Sequence, residues 1–420
     1  MRILILSNLC PPFFIGGYEV ACANVAAGLH AMGHQVRLAT SYSHLPERSD
    51  PPYVERCFGL HWFHPVPITD AKIYPYALFR ASISDYSNTS VLTRLLGDFS
   101  PDVVYVWNLF GIGGIAMLDL LNTLHIPWIL HLMDNVPHHL LAGAPSHVRS
   151  VFGGSAADLF SRGRVIAMSE TLIDEVVTQS GIAFDGGVDI VPGWVDVRGL
   201  PEPTESPPDG PTRFVLAGQV VEHKGMNLTL EAAALLHPRN EAQFTIDVFG
   251  GGEVAFYIDM AQRLGVADIV SFHGPRTQSE LLSLYAGFHA FLFPTWEREP
   301  FGFTPIEAAA CGCVPIVTRQ CGAAERLVDI AHCLKIDRTA TDLADAMQQI
   351  IARDVDIQAM SVRAARLVRS DLSFERALER IADILTQAKR AVGSRREEDP
   401  HLQLLLHTKH HLATAMMFGQ

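Results

Sequence analysis

Residues 2–40 read RILILSNLCPPFFIGGYEVACANVAAGLHAMGHQVRLAT, and they contain two short apolar runs separated by a longer periodic stretch. The runs at 2–7 and 35–40 are typical of buried strands, and the apolar spacing at 18–33 is that of a helix. Two strands joined through a helix form a βαβ unit, in which the strands are parallel. The stretch therefore predicts an α/β fold whose parallel sheet is covered on both faces.

The same alternation continues on both sides of an irregular segment. GLPEPTESPPDGP at 199–211 is rich in proline and acidic residues and has no periodicity, which is typical of a linker. Further strands are predicted at 102–107, 128–132 and 164–168 before it, and at 213–218, 244–250, 269–274, 290–294 and 314–318 after it. The pattern predicts two doubly wound, Rossmann-like domains facing across a cleft.

The predicted organisation has five parts, which are an N-terminal domain, the linker, a C-terminal domain, an amphipathic helix and a tail. Their bounds are 1–198, 199–211, 212–372, 373–392 and 393–420. We expect the amphipathic helix to begin at Ser373 as its cap and to pack back on the N-terminal domain. A metal site is the alternative for the tail residues His407, His410 and His411, but surface histidines without chemistry are the preferred interpretation.

Composition excludes several classes of protein. With 420 residues, of which 48% are hydrophobic and 18% charged, the chain is an ordinary globular one. The net charge of −13 argues against a general nucleic-acid binder. Seven cysteines lack the paired spacing of a zinc site or a disulfide framework, so Cys311 and Cys313 are interpreted as small buried residues in a reducing cytoplasm. No apolar run reaches bilayer length, which leaves peripheral association at the inner face of the membrane as an open alternative.

Three glycine-containing turns follow predicted strands, where a cleft would lie. In the first, the amides near Gly16 and Gly17 could approach an anion at a helix N-terminus, although an ordinary βα turn is equally compatible. In the second, Lys224 could supply a point charge to a phosphate, or be a lone surface lysine. The third, FGGGEVA at 249–255, matches a dinucleotide fingerprint weakly, because no acidic residue follows at the required distance.

EPFGFTPIE at 299–307 carries two carboxylates around a glycine and a proline. Thr304 is predicted as a helix N-cap and Pro305 as the first helical residue, so that Glu307 completes a capping box. This leaves Glu299 unexplained. A carboxylate in the loop and another in the first helical turn could face one cleft.

These turns, followed by FPTWEREPFGFTPIEAAACGCVPIVT and GAAE in the same order, resemble the retaining glycosyltransferases of family four over about residues 1 to 390. That family has the glycosyltransferase-B fold and includes glycogen-synthase-like and mannosyltransferase-like group 1 enzymes. The E-x₇-E element followed by A-x-A-x-G-x-x-P is the most specific part of the resemblance. Gln219 departs from it, because the family usually has an arginine there, and so does GWVD at 193–196, where N-G-V-D is usual.

The resemblance implies a role for each matching residue. Glu299 and the amides after it hold the donor sugar, and Glu307 holds the ribose of the nucleotide. Glycine amides and Lys224 hold the diphosphate, while His131 lies close to the sugar unless it is a satisfied core histidine. The implied donor-binding residues are Gly16, Gly17, Gln219, Lys224, Arg276, Glu299, Pro300, Phe301, Gly302, Phe303 and Glu307, and the implied catalytic residues are His131, Glu299 and Lys224.

Lesser roles are implied elsewhere. Asp134, His138 and His139 are expected on the acceptor side, in the N-terminal domain, and Glu325 matches a family glutamate whose role could be structural alone. The base is expected near Pro275 and Arg276.

The expected function is transfer of a sugar, with retention, from a UDP- or GDP-sugar to an acceptor hydroxyl in polysaccharide, glycolipid or other glycoconjugate biosynthesis. The expected partners are the donor and an acceptor that is a saccharide, a lipid-linked glycan or a small molecule, with no nucleic acid. No metal and no cofactor are expected. The alternatives are a non-catalytic nucleotide-sugar-binding protein and an NAD(P)-dependent oxidoreductase.

Overall fold

The computed structural model of the protein describes residues 1–42, 50–61, 73–142, 145–153, 155–200, 203, 210–239, 243–296, 298–390 and 401–418. Its contacts divide the chain into two units. The first comprises Met1–Ala167, Ile173–Val191 and Leu378–Gln420, and the second comprises Met168–Leu172 and Pro192–Ala377. Each unit has its own sheet.

The first unit contains a seven-stranded sheet in which all neighbouring strands are parallel. Its strands are β1 Arg2–Leu6, β2 Gln35–Ser41, β3 Val54–Phe58, β4 Val103–Val106, β5 Trp128–Leu132, β6 Arg164–Ala167 and β7 Val188–Ile190. The strand order is β3-β2-β1-β4-β5-β6-β7. The helices that follow these strands are α1 Gly17–Ala31, α2 Ile73–Ser82, α3 Tyr86–Phe99, α4 Gly114–Thr123, α5 Val136–Ala142, α6 Ser146–Arg149, α7 Ala156–Ser161 and α8 Glu170–Ser180.

The second unit contains a six-stranded parallel sheet. Its strands are β8 Thr212–Ala217, β9 Phe244–Phe249, β10 Val270–Phe272, β11 Ala290–Phe293, β12 Val314–Thr318 and β13 Leu334–Ile336. The order is β10-β9-β8-β11-β12-β13. The helices of this unit are α9 Met226–Leu236, α10 Val254–Leu264, α11 Gln278–Tyr285, α12 Phe303–Ala310, α13 Ala340–Ile351 and α14 Ile357–Asp371. The next helix, α15 Phe374–Arg390, begins in the second unit and continues in the first, and α16 Leu402–Phe418 belongs to the first.

Two doubly wound parallel sheets confirm the predicted α/β class, and every strand predicted from an apolar run is present. Three further strands, β3, β7 and β13, were not predicted. All three lie at a sheet edge, are at most five residues long and include side chains that are only partly buried. A short edge strand with mixed burial contains only a few consecutive apolar residues, which explains why the sequence gives no clear signal for it.

The strand order places a crevice in each unit. In both sheets the order reverses beside the first strand, between β1 and β4 in one sheet and between β8 and β11 in the other. Ligands of open α/β sheets bind at such switch points, beyond the carboxyl ends of the strands. The turn with Gly16 follows β1 and the turn with Lys224 follows β8, so both predicted anion-binding turns lie at a switch point.

The first predicted domain is too long by a short segment. Residues 192–198 belong to the second unit, because the amide of Val195 donates to Leu372 O at 2.9 Å and Val195 O accepts from the amide of Phe374, also at 2.9 Å. Most of the predicted linker, 201–202 and 204–209, lies outside the described residues. Ser373 is the residue before α15, and its hydroxyl accepts from the amide of Arg376 at 3.3 Å, which confirms the predicted cap.

The predicted tail is wrong as a description of residues 402–418, because they form the helix α16 within the first unit. The Nζ of Lys409 donates to the buried carboxylate of Asp119 at 2.6 Å, and His410 Nδ1 lies 2.9 Å from Ser84 Oγ. His410 is half-buried, with its ring near that of Phe79. The apolar residues LQLLL at 402–406 were the signal for this helix, and the histidine cluster obscured it.

Two other expectations concern the cysteines and the possibility of a membrane-spanning helix. All seven cysteines are free and buried, including Cys311 and Cys313 as predicted. Within the part of the chain that the structure describes, none of the helices combines the length and the apolar character needed to cross a bilayer.

His131 lies on β5 in the core of the first unit and is fully buried. Its ring stacks on Trp107 with 4.2 Å between centroids, and its Nδ1 lies 2.5 Å from Tyr105 Oη. Burial lowers the pKa of the His131 imidazole to about 3, so the ring is neutral at physiological pH. These contacts match the alternative that the sequence analysis gave for His131, a satisfied core histidine. A side chain that contacts a sugar must be exposed to it, and His131 is fully buried.

Replacing Lys409 by methionine tests how firmly α16 is held. The substitution keeps most of the side-chain stem but leaves Asp119 as an uncompensated buried carboxylate, which should lower the free energy of unfolding by about 2–3 kcal/mol. Lys389→Met is the matched control, because its partner Asp102 and Lys389 itself are more exposed, and a surface pair contributes at most about 1 kcal/mol. Equal losses in urea denaturation would contradict the buried role of Lys409.

Burial of His131 predicts a specific dependence of stability on pH. A histidine whose pKa is lower in the folded than in the unfolded state costs stability as pH falls below the unfolded value of about 6.5. Between pH 7 and pH 5 the wild-type protein should therefore lose about 2 kcal/mol more than His131→Gln, which cannot ionise but can still bond Tyr105. Parallel urea titrations at both pH values measure the difference, and identical pH dependence would show that His131 is not buried in neutral form.

Candidate active site

A cavity of about 160 Å³ opens in the second unit, at the carboxyl ends of β8 and β11. This is the switch point of the sheet. The lining residues come from both strands, from the turn after β8 and from the start of α12. They are Leu216, Ala217, Gly218, Lys224, Leu292, Phe293, Glu299, Gly302, Phe303 and Thr304. The sequence singled out five of these, Lys224, Glu299, Gly302, Phe303 and Thr304, although it assigned Thr304 a different role.

Helix α12 starts earlier than the sequence predicted. Its first residue is Phe303, and the residue before it is Gly302, whose φ of 94° is unfavourable for any residue with a side chain. A Cβ on Gly302 would also lie 2.6 Å from the Phe293 ring. Thr304 is therefore not the N-cap, and the predicted capping box with Glu307 is wrong. The close approach of Gly302 to β11 decides where the helix begins.

The segment before α12 is held by its carbonyl oxygens. The three consecutive carbonyls of residues 299–301 each accept a hydrogen bond from elsewhere in the second unit. The donors are the Gly322 amide at 3.2 Å, the Ser169 hydroxyl at 2.5 Å and the Ala323 amide at 2.8 Å. The amides at the start of a helix have no partner within it. This arrangement leaves N–H groups at the start of α12 beside the cavity, where they can bind an oxygen-rich ligand.

Glu299 and Lys224 form an ion pair on the cavity wall. The carboxylate of Glu299 also accepts from Thr295 Oγ1 at 3.1 Å, a contact that the sequence did not reveal. Lys224 ends a short 3₁₀ turn, and the next residue, Gly225, has a φ of 80°. A Cβ on Gly225 would lie 2.1 Å from Pro294 O, so only glycine lets this turn reach the end of β11. The Lys-Gly pair is thus explained by the geometry that brings Lys224 to Glu299.

Glu307 is bonded to the neighbouring helix α11. The residue is 5% exposed, and its carboxylate accepts a 2.5 Å hydrogen bond from Gln278 Nε2. Burial raises the pKa of Glu307, and the bond from Gln278 opposes that effect. The sequence did not identify Gln278. The capping box of Thr277 with Glu280, which would have placed Gln278 in the first turn of a helix, was a readable signal.

The glycines of FGGGEVA serve close backbone packing. A Cβ on Gly250 would lie 1.7 Å from Gly218 O, and one on Gly252 would lie 2.7 Å from Val220 O. These contacts join the turns after β8 and β9, which accounts for the glycines without a dinucleotide. Between the two contact points Gln219 is exposed.

Arg276 lies in the loop before α11. It is exposed, its Nη1 donates to its neighbour Pro275 O at 3.0 Å, and its guanidinium lies 5.9 Å from the centre of the Phe249 ring. The predicted role of these two residues in binding the base stays a prediction.

In the first unit, Gly16 and Gly17 lie where α1 begins. The amides of Ile15 and Gly16 already donate to Glu19 Oε2, at 3.3 and 3.1 Å. Glu19 is buried, and the sequence analysis overlooked it. An anion at this turn would have to displace or avoid that carboxylate, so the anion site predicted at Gly16 has a competing partner within the chain.

Glu325 and Trp194, which the sequence analysis also named, make structural contacts in the second unit. Glu325 accepts from the amides of Glu170 and Thr171 at 2.9 and 2.8 Å, so it caps the first turn of α8, which is a structural role. Trp194 is buried with its ring 6.3 Å from that of Phe303. In the first unit, His138 and His139 lie on α5 and Asp134 shortly before it, and their expected place on the acceptor side stays a prediction.

Two family sequence patterns match the chain. The pattern described as "Glycosyltransferase Family 4" matches residues 15–198, and the one described as "Glycosyl transferases group 1" matches residues 202–367. A glycogen synthase of Mycobacterium tuberculosis is 25% identical over 97% of this chain and 99% of its own length. A D-inositol 3-phosphate glycosyltransferase of Arthrobacter sp. is 26% identical over 57% of this chain, which spans 60% of that relative.

Solved structures show the same architecture. The sucrose-phosphate synthase of Thermosynechococcus elongatus superposes with a TM-score of 0.69 at 16% identity, covering 93% of this chain and 100% of its own. The Anabaena protein HepE in complex with UDP superposes with a TM-score of 0.67 at 16% identity, covering 92% and 100%. At this identity the likeness establishes the fold, while the family patterns identify an enzyme class in place of the oxidoreductase alternative. The chain therefore belongs to the group 1 glycosyltransferases of family 4, with the glycosyltransferase-B fold.

Proposed function

We propose that this glycosyltransferase moves a sugar from a UDP- or GDP-sugar to an acceptor hydroxyl with retention of configuration. The observation that carries the proposal is the cavity of the second unit, where Lys224, Glu299 and the start of α12 meet. Two solved structures of HepE, in complex with UDP and with UDP-glucose, support a nucleotide-sugar donor for a protein of this fold.

The donor sugar is assigned to Glu299 and to the amides of Phe301 and Gly302. A carboxylate accepts hydroxyl hydrogens and an amide N–H donates to hydroxyl oxygens, so together they satisfy both halves of a sugar hydroxyl. Pro300 and Phe303 shape this segment, because Pro300 O is held by Ser169 and Phe303 lines the cavity. Glu307, deeper in the unit, is assigned the hydroxyls of the ribose.

The diphosphate is assigned to Lys224, with the Gln219 amide and the start of α12 as neutral donors. Lys224 is the only cationic side chain among the lining residues of the described cavity. Its ammonium group has three N–H donors, so the bond to Glu299 leaves two for phosphate oxygens. Lys224 can thus bind both the carboxylate of Glu299 and the leaving group. Its charge can serve the diphosphate although Gln219 replaces the arginine that is usual in the family.

These contacts support the following proposed transfer. The bond between the anomeric carbon and the phosphate oxygen breaks, and the acceptor oxygen forms its bond on the same face of the sugar. The acceptor proton passes to an oxygen of the departing nucleoside diphosphate, so no protein nucleophile is needed. Lys224 and the helix amides stabilise the charge that develops on that leaving group.

We also propose that the reaction uses no metal and no other cofactor, since fixed donors are available for the diphosphate charge. The first unit is proposed to bind the acceptor, and Gly16 and Gly17 to approach the donor phosphates beside Glu19. The proposed setting is glycoconjugate or polysaccharide biosynthesis in the cytoplasm, with peripheral membrane association as the alternative location.

Slow hydrolysis of the donor, with water as acceptor, tests both the enzyme class and the independence from metal. We expect the protein to release UDP or GDP from at least one member of a panel of UDP- and GDP-sugars, at a rate that excess EDTA does not change. Coupled detection of the released nucleotide measures it. Full loss on chelation with recovery in Mg²⁺ or Mn²⁺ would contradict the proposed mechanism, and no release from any donor, with binding intact, would favour a non-catalytic binder.

Substitutions at the two glutamates separate their proposed roles. Glu299→Ala should lower turnover of the intact donor and leave the affinity for the free nucleoside diphosphate nearly unchanged, because that ligand has no sugar. Glu307→Ala should weaken both ligands by about 1–3 kcal/mol, the usual effect of an unpaired buried polar group. Calorimetric titrations with UDP and GDP measure these affinities.

Glu307→Gln is the conservative control for the same experiment, since it keeps the shape but removes the charge. It should retain more affinity than Glu307→Ala. Equal affinities for wild type and Glu307→Ala would remove the ribose assignment and leave Glu307 with its structural contact to α11.

A further inference from the structure

The Glu307 carboxylate is buried with little to compensate its charge. Among the described residues its only recorded hydrogen-bond donor is the neutral amide of Gln278, at 2.5 Å. Buried charged groups are normally paired with a cation or with several donors, because desolvation is costly. The hydroxyl of nearby Tyr285 is also buried, and it has no hydrogen-bond partner in the described part of the chain. It therefore does not compensate the charge of Glu307. Glu307 therefore has unused acceptor capacity although it is largely buried.

Gln278 is not required by its own helix. It is the first residue of α11, and the cap is made by Thr277 and Glu280 alone, whose side chains accept from each other's amides at 2.7 and 3.3 Å. Gln278 lies on the exposed side of the unit, yet its side chain reaches inward to Glu307. One N–H of its amide is used there, and the second N–H and the carbonyl oxygen have no recorded partner among the described residues.

A sugar hydroxyl needs two kinds of partner, an acceptor for its hydrogen and a donor for its oxygen. An ionised carboxylate accepts only, so Glu307 alone satisfies half of each hydroxyl. Gln278 carries the missing donor within hydrogen-bond distance of that carboxylate. Together the two side chains present an acceptor and a donor side by side, which is the chemistry that recognises adjacent hydroxyls.

We propose that Gln278 is a second ribose-binding residue, which donates its free N–H to the oxygen of a ribose hydroxyl whose hydrogen is donated to Glu307. This inference rests on the proposed function, because it assumes that Glu307 holds the ribose of the donor nucleotide. In this arrangement the hydroxyl joins the existing Gln278–Glu307 contact and does not have to break it.

The consequence is selection of ribonucleotides over deoxyribonucleotides. A site built to hydrogen-bond a hydroxyl rejects the analogue that lacks it, because buried polar groups are left unpaired. Removing one ribose hydroxyl should weaken binding by about 10- to 100-fold in the wild-type protein. In a protein without Gln278, removing the same ribose hydroxyl should weaken binding less, because the donor for that hydroxyl oxygen is already absent.

The test compares affinities by calorimetry for UDP and GDP and for their 2′-deoxy and 3′-deoxy forms. The proteins are wild type, Gln278→Ala, Gln278→Glu and the control Gln262→Ala, which removes another exposed glutamine from the last turn of a different helix of the second unit, α10. Thermal unfolding of each variant shows whether it is folded. We expect Gln278→Ala to bind the better ribonucleotide about 5- to 20-fold more weakly, with its ratio of deoxy to ribo dissociation constants reduced at one hydroxyl.

Gln278→Glu keeps the size of the side chain but replaces the donor by an acceptor, so it should bind at least as weakly as Gln278→Ala at neutral pH. Gln262→Ala should match the wild type in affinity and in ratio. A wild-type ratio in both folded Gln278 variants would overturn this inference and leave the proposed function standing. Failure of wild-type protein to bind either UDP or GDP would overturn the proposed function, and the inference with it.

Discussion

Close packing of glycines just beyond the carboxyl ends of β8, β9 and β11 is the constraint on which the candidate site depends. Gly225 lies against Pro294 O, Gly250 against Gly218 O and Gly302 against the ring of Phe293, and in each case a Cβ would collide. All three have φ values that favour glycine. Their packing fixes three turns around one cavity, and Lys224, Glu299 and the start of α12 take their positions from it.

Much of the fold was predictable because most strands of both parallel sheets are buried on both faces and need continuous apolar runs. The edge strands β3, β7 and β13 were not, since strands of three to five residues with mixed burial contain only short apolar runs. The helix α16 was missed for a different reason. Its histidines are polar by type, yet His410 contacts Ser84 and His407 contacts the ring of Tyr86, and a pattern of residue types cannot anticipate such partners.

The sequence selected some of the residues at the candidate site but not their geometry. Resemblance to a family selected Glu299, Glu307 and Lys224, which the structure places in one unit. It did not show that Glu307 accepts a hydrogen bond from Gln278, because that contact depends on how α11 and α12 pack against each other. Nor did it reveal Glu19, whose carboxylate occupies the amides offered by the first glycine turn. Partners that come from distant parts of the chain are set by packing, which local sequence does not encode.

The division of the chain has a consequence for biosynthesis. The second unit is almost one continuous segment, Pro192–Ala377, whereas the first is completed only by residues from Leu378 onward. Because the ribosome delivers the chain from its N-terminus at several residues per second, domains tend to fold in the order in which they emerge. Here the sheet made first must wait for α15 and α16, which are made last, and Leu378 has to reach Gly28 across the whole length of the second unit. A ribosome that stops at the end of the second unit therefore releases one unit that can finish folding and another whose apolar surface stays open to aggregation.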